Sequence, residues 1–242
     1  MLDTVNECVD SRVGAADTIQ WIAVDTLADH PQNPRVIMRE DVIAAISAGL
    51  TATGRFDPAH ALLVRPKGDD TYEVISGHHR KRGAIAAGLR DVPCWVREMS
   101  DEKAFMELVN ANNQGELDIL EIGLHADEAT EKGKWGKSVK AYAEETGRKQ
   151  QTVSDAVLAA RVAREVTGQS VTLKMLDLFG KTTHLVAIHA GPRSLWSTLV
   201  SFMLNKGWSV ADTKHYVAKV AEYDIPSEHA DWLPVRVRTH NQ

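Results

Sequence analysis

The densest potential for anion chemistry lies in six consecutive residues, Gly77-His78-His79-Arg80-Lys81-Arg82. They follow an apolar run, Tyr72 to Ile75, and open a helix-like stretch to about Ala87 that Gly88 closes. A glycine at that point permits a tight strand-to-helix turn and close backbone approach. The first N–H groups of a helix have no partner within it, and the dipole places positive charge there. Arg80, Lys81 and Arg82, with His78 and His79 alongside, add donors for charge-assisted bonds to phosphate oxygens. The spacing predicts an anion or phosphate site, although a basic surface turn has the same composition.

A second constellation occupies Ser138 to Ala156, SVKAYAEETGRKQQTVSDA. Ala143 supplies the small residue needed where two helices cross closely. Gly147, four residues on, supplies the turn, and Val153 the apolar anchor six residues later. This Ala-x3-Gly-x5-Val spacing is the packing requirement of a helix-turn-helix. Ser138 can cap the first helix, and Val139, Tyr142 and Ala156 complete its inner face. The second helix then begins near Lys149 and exposes Arg148, Lys149, Gln150, Gln151, Thr152, Ser154 and Asp155. Gln pairs with adenine edges and Lys or Arg with guanine, so this face suits a major groove. Lys137 and Lys140 are placed for backbone phosphates. Ordinary helical hairpins share the spacing. Local charge favours DNA: Lys132 to Lys174 holds nine Lys/Arg against four acids, in a chain of net charge −5.

These residues need elements to hold them. Ile19 to Val24 reads as a strand, and Glu40 to Thr51 as a helix with Val42, Ile43, Ile46 and Leu50 on one face. Ala61 to Arg65 and Tyr72 to Ile75 form a hairpin about Lys67-Gly68-Asp69-Asp70, and Pro93 to Val96 is a further strand. Ser100, with Asp101 and Glu102 behind it, starts a helix. Everything downstream reads as helices. The fold class is therefore α+β, a mixed α/β front followed by an all-α back. The expected division is a disordered leader over 1–18, a first domain over 19–130, a helical domain over 131–222 and a tail over 223–242. The 43% hydrophobic and 25% charged content is that of a globular protein. No stretch approaches the roughly 20 apolar residues of a membrane span, and the polar N-terminus has no secretory h-region. Cys8 and Cys94 have no CxxC spacing, and the ten histidines fall into no ligand pattern, so no metal site is expected.

The stretch from Gly77 to Pro93 resembles the signature of the ParB/sulfiredoxin superfamily, G-E-R-R-x-R-A followed by A-x-x-A-G-x-x-x-V-P. Gly77, Arg80, Arg82, Ala84, Ala87, Gly88, Leu89, Val92 and Pro93 carry the match. Thr53-Gly54-Arg55-Phe56-Asp57-Pro58 resembles the family loop that lies against the nucleotide base, and His30 to Arg35 its early N-P-x-x-P-R loop. Asn112-Asn113-Gln114, with Leu117 and Glu121, resembles its E-N-x-Q-R motif. Lys181 to Ile188 is similar to the short helix after the ParB helix-turn-helix, and Gly207-Trp208-Ser209-Val210 to the closing G-x-S-V helix. Trp196, Phe202, Trp208 and Tyr216, at helical spacing, read as core.

The resemblance implies a ParB/RepB/Spo0J-type partition protein, a sequence-specific double-stranded DNA binder for plasmid or chromosome partition or linked transcriptional control. It implies CTP, or another NTP, on Thr53, Gly54, Arg55, Gly77, His78, His79, Arg80, Arg82, Asn112 and Gln114. It implies a homodimer, a ParA-type ATPase as partner, and a cytoplasmic, nucleoid- or plasmid-associated protein. His78 and Ala111 stand where the family has acids linked to Mg2+ and hydrolysis, so binding is expected and CTP hydrolysis is slow, altered or absent. A ParB-like nuclease or NTPase acting on DNA is the alternative. Sulfiredoxin places a catalytic cysteine directly after the glycine, where this chain has His78, so a sulfinic-acid reductase lacks its nucleophile.

Overall fold

The computed structural model describes residues 19–112, 117–169 and 174–223. Their contacts gather into two units: 19–31 with 38–104, and 32–37 with the described residues from 105 onward. The expected leader and tail, and Gln114, lie outside the described residues.

The first unit is built on a five-stranded mixed sheet of order β1-β5-β3-β4-β2. β1 (Ile19–Ala23) runs antiparallel to β5 (Asp91–Val96), and β5 runs parallel to β3 (Leu62–Gly68). β3 turns back through Asp69 and Asp70, both at positive φ, into β4 (Thr71–Ser76). Leu62, Val64, Val74, Val92 and Cys94 alternate along these strands onto one buried face, the period-2 pattern of a covered sheet. β2 (Leu27–Asp29) adds a parallel edge beside β4, with Asp29 opposite Val74. The sequence reading missed it, since three residues with Leu27 alone buried are too short to show alternation.

Two helices complete this unit. α1 (Glu40–Thr53) ends at Gly54, which has φ +65 and whose N–H bonds the Leu50 carbonyl. α2 (His78–Ala86) starts at Gly77. The two cross at Gly83, where an added Cβ would sit 2.5 Å from Ile46 Cγ2. Burial of Cys94 raises its thiol to about 12, so it is an inert core residue.

Among the described residues, the regular elements of the second unit are all helices. Its members are α3 (Asp101–Asn110, from Phe105 on), α4 (Ile119–Thr130), α5 (Val139–Glu145), α6 (Gln150–Gln169), α7 (Thr182–His189), α8 (Trp196–Lys206) and α9 (Val210–Tyr223). Asp118 caps α4 by accepting the Leu120 N–H at 2.8 Å, while Glu121 returns to accept the Asp118 N–H at 2.9 Å. The other Glu121 oxygen accepts the Val36 N–H at 2.7 Å, and Gln32 donates to Glu128 at 2.6 Å. Those two bonds hold the Asn-Pro loop against α4. Burial raises the Glu121 carboxyl, opposed by its bonds to Asp118 and Val36.

α4 crosses α6 at backbone contact: a Cβ on Gly123 would lie 2.1 Å from the Ala156 carbonyl oxygen. Nearby, His125 bonds the Tyr142 hydroxyl and the Phe105 carbonyl, each at 2.9 Å, and stacks on the Phe105 ring at 3.8 Å. The carbonyl can only accept, so Nε2 carries the proton. Trp196 and Tyr216 are buried, with Phe202 and Trp208 packed against the same cluster, as their spacing predicts.

Candidate phosphate turn and nucleic-acid interface

Gly77 holds the turn into α2 at φ +103. An added Cβ would lie 2.9 Å from Leu62 Cγ and 3.2 Å from Arg80 Nη2, so only glycine fits. Arg80 bends back over this turn. Its Nη1 donates to the carbonyls of His60 and Ala61, the latter at 2.9 Å. Burial lowers the affinity of this guanidinium for its proton.

The other cations converge on one carboxylate. Lys81 Nζ donates to Asp29 Oδ1 at 2.8 Å, and Arg82 Nη2 reaches Asp29 Oδ2 at 3.5 Å. Burial pushes the Asp29 carboxyl up, but the Lys81 bond and the Lys81, His78 and Arg82 charges outweigh it and hold the group below the usual range. Asp29 was not singled out in sequence. It is 52 residues from Lys81, and only the short edge strand brings the two together.

His78 is buried, and its Nε2 has no hydrogen-bond partner. Burial lowers it to about 4, so it is neutral near pH 7. A neutral imidazole stands at this position, and among the described residues no group of three His, Cys, Asp or Glu could hold a metal ion. His79 Nε2 accepts the Arg39 N–H at 3.0 Å and therefore carries no proton there. Thr53 Oγ1 lies 3.0 Å from the Gly49 carbonyl and 2.9 Å from that of Arg55, and the Arg55 side chain is exposed. Thr53, Gly54 and Arg55 thus end α1, the helix packed on α2. Asn112 lies in the helical unit, just beyond α3, and donates to the Leu108 carbonyl at 2.6 Å.

The helix-turn-helix forms on the expected residues. Ser138 Oγ accepts the Ala141 N–H at 3.1 Å and caps α5. Gly147 turns at φ +66, and the Arg148 N–H bonds the Ala143 carbonyl at 2.8 Å. Tyr142, Ala143, Val153, Ala156 and Val157 are buried between the helices. Outward, the first turn of α6 exposes Lys149, Gln150, Gln151 and Thr152, with Ser154 half-buried. Gln151 donates to Asp155 at 2.9 Å, which fixes its amide. Lys137 is half-buried and pairs with Glu145 at 2.9 Å, while Lys140 is exposed with Glu144 at 3.9 Å. Arg148 is half-buried.

Comparison with known proteins matches the segment that holds the α2 turn to a family model. The ParB N-terminal domain model matches residues 10–113. The chromosome-partitioning protein Spo0J of Thermus thermophilus is 31% identical over 115 residues, covering 43% of this chain and 41% of that protein. The nucleoid occlusion protein of Oceanobacillus iheyensis is 25% identical over 222 residues, covering 91% of this chain and 74% of that one. The chain spans less than half the length of the chromosome-partitioning relatives it matches. Among solved structures, the C-terminally truncated ParB of Caulobacter crescentus, complexed to the centromeric parS site, is 25% identical at a TM-score of 0.53. That likeness covers 83% of this chain and 99% of the other. No described helix is long and apolar enough to cross a membrane. With a glycine-cation turn in its mixed sheet and a helix-turn-helix further along the sequence, the chain is similar to ParB-type partition proteins, the family-model match covering residues 10–113.

Proposed function

We propose that the protein binds double-stranded DNA sequence-specifically, for chromosome or plasmid partition or linked transcriptional control, and that CTP at the α2 turn regulates it. One observation carries the DNA reading: the start of α6 presents Lys149, Gln150, Gln151 and Thr152 outward while Tyr142, Ala143, Val153, Ala156 and Val157 are packed between the helices. Such a helix end enters the major groove, where amide and cationic side chains read base edges. The parS complex of the Caulobacter relative supports that reading. A helix-turn-helix reads paired half-sites best as a two-fold dimer, so a homodimer on a palindromic site is part of the proposal.

The α2 turn supports nucleotide binding through its backbone. Gly77 opens α2 at φ +103, and the N–H groups of a helix's first turn, at the positive end of its dipole, attract anions. Arg82, with only the long contact to Asp29, is placed to turn toward phosphate. Nothing at position 78 ligates Mg2+ through oxygen, so binding without efficient hydrolysis is the expected behaviour. A pull-down of genomic DNA with and without each NTP tests both halves. Enrichment of one palindromic site, redistributed by CTP, is the expected result. Uniform recovery of DNA sinks the sequence-specific reading, and no heat of CTP binding by calorimetry, with or without DNA, sinks the regulatory one.

A further inference from the structure

The helical unit contains a charged cleft that neither proposed site uses. It has a volume of about 590 Å³, within the roughly 300–1,000 Å³ range of small-ligand sites. Arg161 and Arg164 enter it from α6 and Arg193 from the turn before α8. Asp127 accepts one bond from each of Arg161 and Arg164, both at 2.8 Å, and Glu165 pairs with Arg193. These bonds hold the guanidiniums in place but engage a minority of their five N–H donors each. Three cations against two carboxylates leave the cleft net positive.

The other wall is formed by His189 and by Trp196, which is largely buried. Trp196 lies there with the His189 ring 5.1 Å away and the Arg193 guanidinium 5.9 Å from its centroid. Burial, then the Arg161 charge, lowers the His189 pKa, consistent with a positive interior. Gly168 leaves the space open, since an added Cβ would meet nothing within 4 Å. From Gln151 the cleft lies roughly 15–25 Å along α6, away from the proposed base-reading turn.

We propose that this cleft is a second ligand site of the protein, which takes a phosphate group on Arg161, Arg164 and Arg193 and a planar ring at the wall shared by His189 and Trp196. Its ligand is a nucleotide-like phosphate ester, either free or part of a nucleic-acid chain. Arginine suits this task because its planar fork matches phosphate oxygens and stacks on rings. The site is separate from the α2 turn and stands whether or not that turn binds CTP.

NMR of the full chain tests it, with the Trp196 indole N–H and His189 ring as reporters and the Gly77 and His79 amides as reporters of the α2 turn. The probes are inorganic phosphate, AMP and a duplex of mixed sequence. AMP should shift Trp196 and His189 at lower concentration than phosphate does. Gly168→Leu, whose Cβ meets nothing within 4 Å, should weaken that response about tenfold while leaving the melting temperature in place, and Arg193→Gln should do likewise. A response to the duplex alone identifies a nucleic-acid source for the same chemistry, and a response to AMP a free one. Silence of Trp196 and His189 toward all three probes overturns the proposal, as does wild-type affinity in both variants.

Discussion

The first turns of α2 and α6 look alike in sequence, a positive-φ glycine followed by cations and polar residues, yet the fold treats them oppositely. At α2 most of the charge is spent inward, Arg80 on two backbone carbonyls and Lys81 on Asp29, while Arg82 keeps only a 3.5 Å contact to Asp29. At α6, Lys149, Gln150, Gln151 and Thr152 face solvent, and only the apolar side of the helix is covered. Formal charge along a sequence is therefore a poor guide to charge offered to a ligand. An anion at α2 meets chiefly backbone N–H groups, whereas a duplex at α6 meets side chains, the groups that can discriminate bases.

The largest effect expected to break this contrast lies beneath α6. Gly123→Ala drives a Cβ into the Ala156 carbonyl, so it should cost about 3 kcal/mol in urea denaturation and abolish DNA binding. Retained stability would mean that the α4–α6 crossing does not set the reading helix.

Next is the pH response of α2. His78 titrates near 4 in the fold and near 6.5 when exposed, so the unfolded chain binds the extra proton between those values. Its contribution is intact above about pH 6.5 and is lost as pH falls toward 4, by about 3 kcal/mol in all. Thermal melts across that range should show the slope, and His78→Gln should flatten it.

Asp29→Asn removes the inward sink. It should cost about 1–2 kcal/mol and yet tighten anion binding at α2, measured by calorimetry with CTP. Weaker binding would show that the paired geometry, not the released charge, matters. Last, Gln151→Ala should lose about 1–2 kcal/mol on the cognate site and little on random duplex. Lys149→Ala should weaken both a little and lower the salt slope by about one. Fluorescence anisotropy over a salt series separates the two.

Much of this was legible in the sequence, because it is local. Ala143, Gly147 and Val153 announce the helix-turn-helix through spacing alone, and the hairpin, the Gly77 turn and the α1 stop at Gly54 follow from residues within a few positions of one another. Only the tertiary structure decided which charges remain available. Asp29, the carbonyls of His60 and Ala61, and the backbone of Ala156 act on residues 19 to 52 positions away. No periodicity encodes such pairings, since they arise when a three-residue edge strand and two glycine crossings bring distant segments into contact. The sequence by itself specified the elements and their order. Packing determined that Lys81 is neutralised, that His78 is held uncharged, and that Lys149, Gln150, Gln151 and Thr152 at the start of α6 are left facing outward.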